Sequence, residues 1–162
     1  MIFNVYNDRN ASDLWTLSMS GDRTPKVFLN SKHSEFNGTF SPDGRWVAYH
    51  FDASGRYELL VRPFPNRDPP QTISRDGGMY PRWRGDGKEL FFLSPDGTMM
   101  AAGFDATTGV SQGAPQRLFP TQIRGGDNRP YAVDRLGQRF LLKVLPDPQL
   151  VVVMDWRTLL DR

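Results

Sequence analysis

Two stretches of this chain gather arginine, aspartate and tyrosine in similar company. One is Arg75-Asp76-Gly77-Gly78-Met79-Tyr80-Pro81-Arg82. The other is Arg124-Gly125-Gly126-Asp127-Asn128-Arg129-Pro130-Tyr131. A guanidinium is a planar fork of donors that meets a carboxylate or phosphate through two parallel hydrogen bonds. Tyrosine adds a flat apolar face with a polar tip. Arg75, Asp76, Tyr80, Arg82, Arg124, Asp127, Arg129 and Tyr131 are therefore the candidate binding residues, suited to a polar or anionic ligand or to a peptide. The plainer alternative is that they are solvated connections, because Gly, Asp, Arg and Pro are ordinary loop residues. Loops follow both glycine pairs, so neither offers a helix N-terminus to a phosphate.

Other chemistry finds little support. His33 and His50 are the only histidines. One falls in a loop and one in a strand, with no helical i, i+4 pairing and no neighbouring ligand set. Absence of cysteine removes disulfides, thiolate metal sites and a Cys nucleophile. There is no Gly-x-Ser-x-Gly elbow, P-loop or dinucleotide fingerprint. No enzyme activity, cofactor or metal is expected. Lys and Arg number 20 against 18 Asp and Glu, and they are interspersed. This is not the clustered basic face of a nucleic-acid binder. No apolar run is long enough to span a membrane. The stretch from Met1 to Asp8 has neither the basic nor the long apolar region of a signal peptide, so an export address would have to lie upstream of Met1.

The elements that must position the two loops follow from a repeat. Phe40-Ser41-Pro42-Asp43-Gly44-Arg45-Trp46-Val47-Ala48-Tyr49 recurs as Trp83-Arg84-Gly85-Asp86-Gly87-Lys88-Glu89-Leu90-Phe91-Phe92. It recurs again, degraded, as Val133-Asp134-Arg135-Leu136-Gly137-Gln138-Arg139-Phe140-Leu141-Leu142. Each copy is a strand end, a turn with Asp and Gly, and an apolar strand. Proline presets the turn, aspartate bonds backbone amides, and glycine accepts the left-handed conformation. Asp43, Asp86 and Asp134 read as turn residues, since one carboxylate per unit would not converge on an ion. Gly44 and Gly87 stand about 43 residues apart, and a strand-built repeat of roughly 40–45 residues marks a β-propeller blade.

In that frame the chain is all-β: a partial β-propeller of about 3.5 four-stranded antiparallel blades. Residues 1–30 form an incomplete blade, 36–74 and 79–120 full blades, and 129–160 an incomplete last blade. Strands are expected at Ile2–Tyr6, Leu14–Met19, Val27–Asn30, Phe36–Ser41, Trp46–Phe51, Tyr57–Pro63 and Gln71–Ser74. Further strands are expected at Met79–Arg84, Glu89–Leu93, Thr98–Phe104, Gln116–Phe119, Arg129–Asp134, Arg139–Leu145 and Leu150–Trp156, with a short helical turn in Arg157–Asp161. Met1 falls at the turn between the first and second strands of its blade. Ser94-Pro95-Asp96-Gly97 copies the repeat turn in letters but joins the second and third strands of its unit. Aromatic residues after the turns are expected to pack between blades.

The Ser-Pro-Asp-Gly turn, the aromatic–Ala–aromatic strand after it, Tyr57–Phe64 and Asp13–Leu17 resemble TolB-like, WD-repeat-like β-propellers of bacteria. The ending Leu150–Trp156 is similar to the last blade of propellers fused to bacterial serine/threonine kinases. The resemblance implies a six- or seven-bladed ring that acts as a non-catalytic protein- or ligand-binding or sensing scaffold, commonly periplasmic or otherwise extracytoplasmic. Some relatives gate the substrates of serine peptidases. The alternative is therefore a regulatory or gating segment of a larger enzyme whose kinase or peptidase domain is absent here. The loops Ser31–Phe36, Arg75–Arg82 and Thr121–Tyr131 would end beside the central channel, with a protein or small polar ligand at its mouth. Open ends would be covered by a homodimer or by pairing with the missing blades.

Overall fold

In a computed structural model the chain forms four antiparallel sheets. The structure describes residues 1–8, 11–52, 55–66, 68–123, 129–144 and 149–154. The first sheet joins β1 (Ile2–Tyr6), β2 (Ser12–Thr16) and β3 (Lys26–Leu29). The second joins β4 (Glu35–Phe40), β5 (Trp46–Phe51), β6 (Glu58–Pro63) and β7 (Gln71–Thr72). The third joins β8 (Met79–Trp83), β9 (Glu89–Leu93), β10 (Thr98–Asp105) and β11 (Val110–Pro120). The fourth joins β12 (Tyr131–Val133), β13 (Arg139–Val144) and β14 (Gln149–Met154). Every sheet is a meander, each strand paired with its neighbour in sequence.

Strand β11 is the main departure from the expected strands. It begins at Val110, well before Gln116. Register shifts against β10 break the alternation that would have revealed it, and Gly113 takes φ +75° within the strand. The expected turn at Arg157–Asp161 lies outside the described residues.

The core is divided between sheets. Leu14, Phe28 and Leu29 meet Val47, Tyr49 and Leu60 between the first and second sheets. Ala48, Leu59, Val61 and Ile73 meet Trp83, Leu90, Phe92 and Phe104 between the second and third. Phe91, Leu93, Met99 and Phe119 meet Tyr131, Phe140 and Leu142 between the third and fourth. A middle sheet is thus buried on both faces, which explains the unbroken apolar run Leu90-Phe91-Phe92-Leu93. Leu90 and Phe92 face one neighbour while Phe91 and Leu93 face the other.

Aromatic pairs fill these seams, as the repeat predicts. The Phe91 and Phe140 rings stand edge to face at 5.0 Å, and Trp46 and Phe104 at 5.4 Å. The repeat turns share one geometry: φ is +73° at Gly44 and Gly87 and +71° at Gly137. Each glycine N–H donates to the carbonyl three residues back, at Ser41, Arg84 and Asp134. The Asp43 carboxylate accepts from the Ser41 hydroxyl at 2.6 Å and the Arg45 amide at 3.1 Å. Asp86 and Asp134 accept from the amides of Lys88 and Gln138. Ser94–Gly97 lies between β9 and β10, the position expected of it.

Candidate functional site

The innermost strands of the two full sheets carry the same irregularity. Pairing of β4 with β5 slips between Phe36 and Thr39, and pairing of β8 with β9 slips between Met79 and Arg82. At each slip one non-glycine residue enters the left-handed region, Asn37 at φ +52° and Tyr80 at φ +59°. For a bulky residue such as tyrosine this conformation costs roughly 1–2 kcal/mol, so its surroundings must hold it there.

They do so through side chains of the preceding sheet. The Asn37 N–H donates to Asn4 Oδ1 on β1 at 3.2 Å. The Tyr80 N–H donates to His50 Nδ1 on β5 at 3.3 Å. Asn4 on β1 therefore serves β4 as His50 on β5 serves β8. By that equivalence β1 stands to β4 as β5 stands to β8, and among the described residues β1 pairs with β2 alone. Asn4 also donates through Nδ2 to the Glu35 carbonyl and the Ser12 hydroxyl, both at 2.8 Å.

His50 is buried among Phe36, Tyr57 and Tyr80, with ring centroids 4.9–5.5 Å away. Burial brings its pKa down to about 3. A neutral ring with an unprotonated Nδ1 is what the Tyr80 amide requires. On its other side the Tyr80 carbonyl accepts from the Tyr131 hydroxyl at 2.7 Å. Tyr80 is thus tied to the sheets before and after its own. Burial pushes the Tyr131 phenol well above its ordinary range, with the Arg82 charge opposing.

Arg82 follows on β8. Its guanidinium stands over the Tyr131 ring, 5.7 Å from the centroid, and donates to the Pro81 carbonyl at 2.7 Å. Burial lowers its pKa from the ordinary value; Tyr131 opposes this and the Arg129 charge adds to it. An arginine remains charged at neutral pH through such shifts. Arg82 and Arg129 reach one cleft of about 540 Å³, walled also by Ile2, Asn4 and Tyr6 of β1 and Asn37 and Gly38 of β4.

The eight candidate residues therefore separate. Arg82 and Arg129 come together in the cleft. Tyr80 and Tyr131 are buried at the seam beneath it, in packing and hydrogen-bonding positions. Arg75 and Asp76 are exposed on the loop before β8 and do not line the cleft. Glu58 holds that loop, accepting from the Ser74 hydroxyl and the Gly77 amide. Arg124 and Asp127 lie outside the described residues. Sequence reasoning missed Asn4, His50 and Asn37 as members of the site. The signal for Asn37 was present as an Asn-Gly pair inside a strand pattern, which marks a bulge. Among the described residues no group of three His, Cys, Asp or Glu could hold a metal, and no helix is long and apolar enough to cross a membrane.

Four antiparallel meanders, each packed chiefly against the next, are arranged as propeller blades are. The fold is a TolB-like, WD-like β-propeller in part. TolB from Acinetobacter baumannii superposes with a TM-score of 0.66 at 16% identity, over 94% of this chain and 36% of its own. A putative TolB from Agrobacterium tumefaciens gives 0.61 at 20% identity, over 86% and 50%. The Cps50 (Swd1) β-propeller domain of Myceliophteria thermophila gives 0.55 at 12%, over 94% and 56%. The chain thus spans between a third and somewhat over half of each of these propellers. No protein-family model and no curated protein matches the sequence.

Proposed function

We propose that this chain is a non-catalytic propeller segment whose cleft binds an anionic or polar group carried by a protein or a small ligand. The observation that carries this reading is the convergence of Arg82 on β8 and Arg129 in the segment before β12 on one cleft. Two neighbouring cations repel, and an anion between them relieves the repulsion while accepting charge-assisted hydrogen bonds. Similarity to TolB and to a WD-type propeller supports a scaffold role. Titration calorimetry with a tetraglutamate peptide tests it. Binding is expected at low salt, weakened at least about tenfold by Arg82→Gln with Arg129→Gln, and weakened further as salt rises. Equal heats for the wild type and the double variant would reject it.

A second reading makes the segment a regulatory or substrate-gating part of a larger kinase or peptidase. The partial span of each similar propeller supports it. A coding sequence that continues in frame into a catalytic domain is the expected finding. For the open ends we propose coverage by further blades or by a second copy. Light scattering across a concentration series separates the two, since a second copy doubles the 18.4 kDa mass of the chain.

A further inference from the structure

Repeat positions that differ between blades show what the fold itself does not require. Thr39, Arg82 and Ala132 hold one such position, opposite Ala48, Phe91 and Leu141. Only Arg82 carries a charge there, and Thr39 and Arg82 both line the cleft. These two belong to the second and third sheets, which have four strands each and a neighbour on either face. One cation among the three matching positions makes a point anchor for a single anionic group, whereas a cation at each would suit a polyanion.

The Arg82 fork is held ready. Its guanidinium carbon stands 5.7 Å from the centroid of the Tyr131 ring, and the Tyr131 hydroxyl is itself tied to the Tyr80 carbonyl at 2.7 Å. Nη1 donates to the Pro81 carbonyl at 2.7 Å. Nε and Nη2 share the other edge of the guanidinium, and neither donates to a described residue. Two parallel donors on a fixed plane match the two oxygens of a carboxylate. On β4, Asn37 also lines the cleft; its backbone N–H is bonded to Asn4, while its side-chain amide bonds to no described residue. A primary amide offers a donor and an acceptor together, the pattern that a peptide group answers.

We propose that the cleft takes one acidic side chain of a peptide segment from a partner protein, its carboxylate received by Nε and Nη2 of Arg82 and the adjoining backbone amide by the Asn37 side chain. Tyr131 is a positioning residue: its ring fixes the plane of the fork without touching the peptide. This names the ligand of the anion-binding cleft above and rests on that reading.

The probe is the end-blocked pentapeptide Gly-Gly-Glu-Gly-Gly, titrated into the full isotope-labelled chain and followed by NMR. Glutarate and the peptide Gly-Gly-Gln-Gly-Gly accompany it. The Arg82 Nε–H and Asn37 Nδ2 signals are expected to move together and saturate with the Glu peptide, and the Gln peptide to bind at least about tenfold more weakly. Arg82→Lys keeps the charge but loses the fork, and is expected to lose about tenfold in affinity. Asn37→Gly suits the left-handed φ of +52° and is expected to weaken the peptide several-fold while leaving glutarate unchanged. Tyr131→Leu is expected to cost about fivefold with the Arg82 charge intact, and Tyr131→Phe, which keeps the ring, about twofold or less. If the leucine variant does not fold, the wild type still gives an answer, because Arg82 side-chain protons above the ring are expected upfield of ordinary arginine. Ordinary shifts, or full affinity in a folded leucine variant, would overturn the positioning role. Binding by Arg82→Lys as tight as by the wild type would overturn the fork and leave a charged cleft standing. Glutarate binding as tightly as the peptide would overturn the peptide in favour of a small acid. No signal change with any probe at about 10 mM would remove the anion-binding reading as well.

Discussion

His50 shows how one side chain can hold a strained backbone. Its Nδ1 accepts the amide of a left-handed tyrosine in the next sheet. His50→Leu, the residue at the matching position of β9, deletes the acceptor and leaves that buried amide unpaired. A loss of roughly 1–3 kcal/mol is expected in urea denaturation. His50→Asn places an amide oxygen where Nδ1 stands and is expected to lose less. The same histidine gives stability a pH dependence. Its folded pKa of about 3 lies below the ordinary 6.5, so the unfolded chain binds the proton and the folded one does not. Its stabilising contribution is complete above about pH 6.5 and is lost as pH falls toward 3, by at most about 1.4 kcal/mol per unit. Glu35 works in the opposite sense: burial raises its carboxyl pKa, although Ser31 hydrogen bonds oppose the shift. The comparison of wild type with His50→Asn isolates the histidine. The wild type is expected to destabilise more steeply between pH 6.5 and 5, and parallel curves would refute the assignment. Tyr131→Phe removes the other tie to Tyr80, and a loss of about 1 kcal/mol is expected from denaturation at neutral pH.

At the scale of the element, turns and seams make separable demands on glycine. Gly44 takes φ +73° in open space, so Gly44→Ala carries only the backbone cost, roughly 1–2 kcal/mol. Gly109 takes φ +76° with a would-be Cβ 2.1 Å from the Trp46 indole of the neighbouring sheet. That indole is anchored by its N–H to the Ala106 carbonyl at 3.0 Å and cannot swing away without losing the bond. Gly109→Ala is therefore expected to cost more than Gly44→Ala, by about 1–3 kcal/mol. Guanidinium denaturation of the two variants measures the difference. Equal costs would mean that the seam at Trp46 is loosely packed.

For the whole molecule, stability should follow position in the fan. Each sheet contacts chiefly its neighbours, as in repeat proteins. The second and third sheets are buried on both faces, while among the described residues the first and fourth each pack against one other sheet. On the other face of the fourth sheet Leu141 lies opposite Val152, and Val152 is 57% exposed. Native-state hydrogen exchange is expected to find the amides of β5, β6, β9 and β10 slowest, with those of β1, β2 and β13 opening at lower free energy. Uniform protection across all four sheets would contradict this, and would indicate that the outer faces are covered in solution.

The sequence by itself determined the unit of construction. Turn chemistry at Gly44, Gly87 and Gly137 is local: proline, aspartate and glycine dictate backbone angles through their own side chains, and so the letters are readable without the fold. Apolar runs such as Leu90–Leu93 likewise announced strands. What only the tertiary structure decided was the fate of the candidate residues. Tyr80 and Arg82 are two positions apart, yet one is buried at a seam and the other reaches a cleft. The bulge at Tyr80 and the hydrogen bonds from residues 30 and 51 positions away set that division. Asn4 and His50 looked like ordinary strand residues because their partners are backbone groups of another sheet, and no local pattern records a contact between sheets. Whether a strand has a neighbour is a property of the assembled sheet, and the strand's own residues do not encode it.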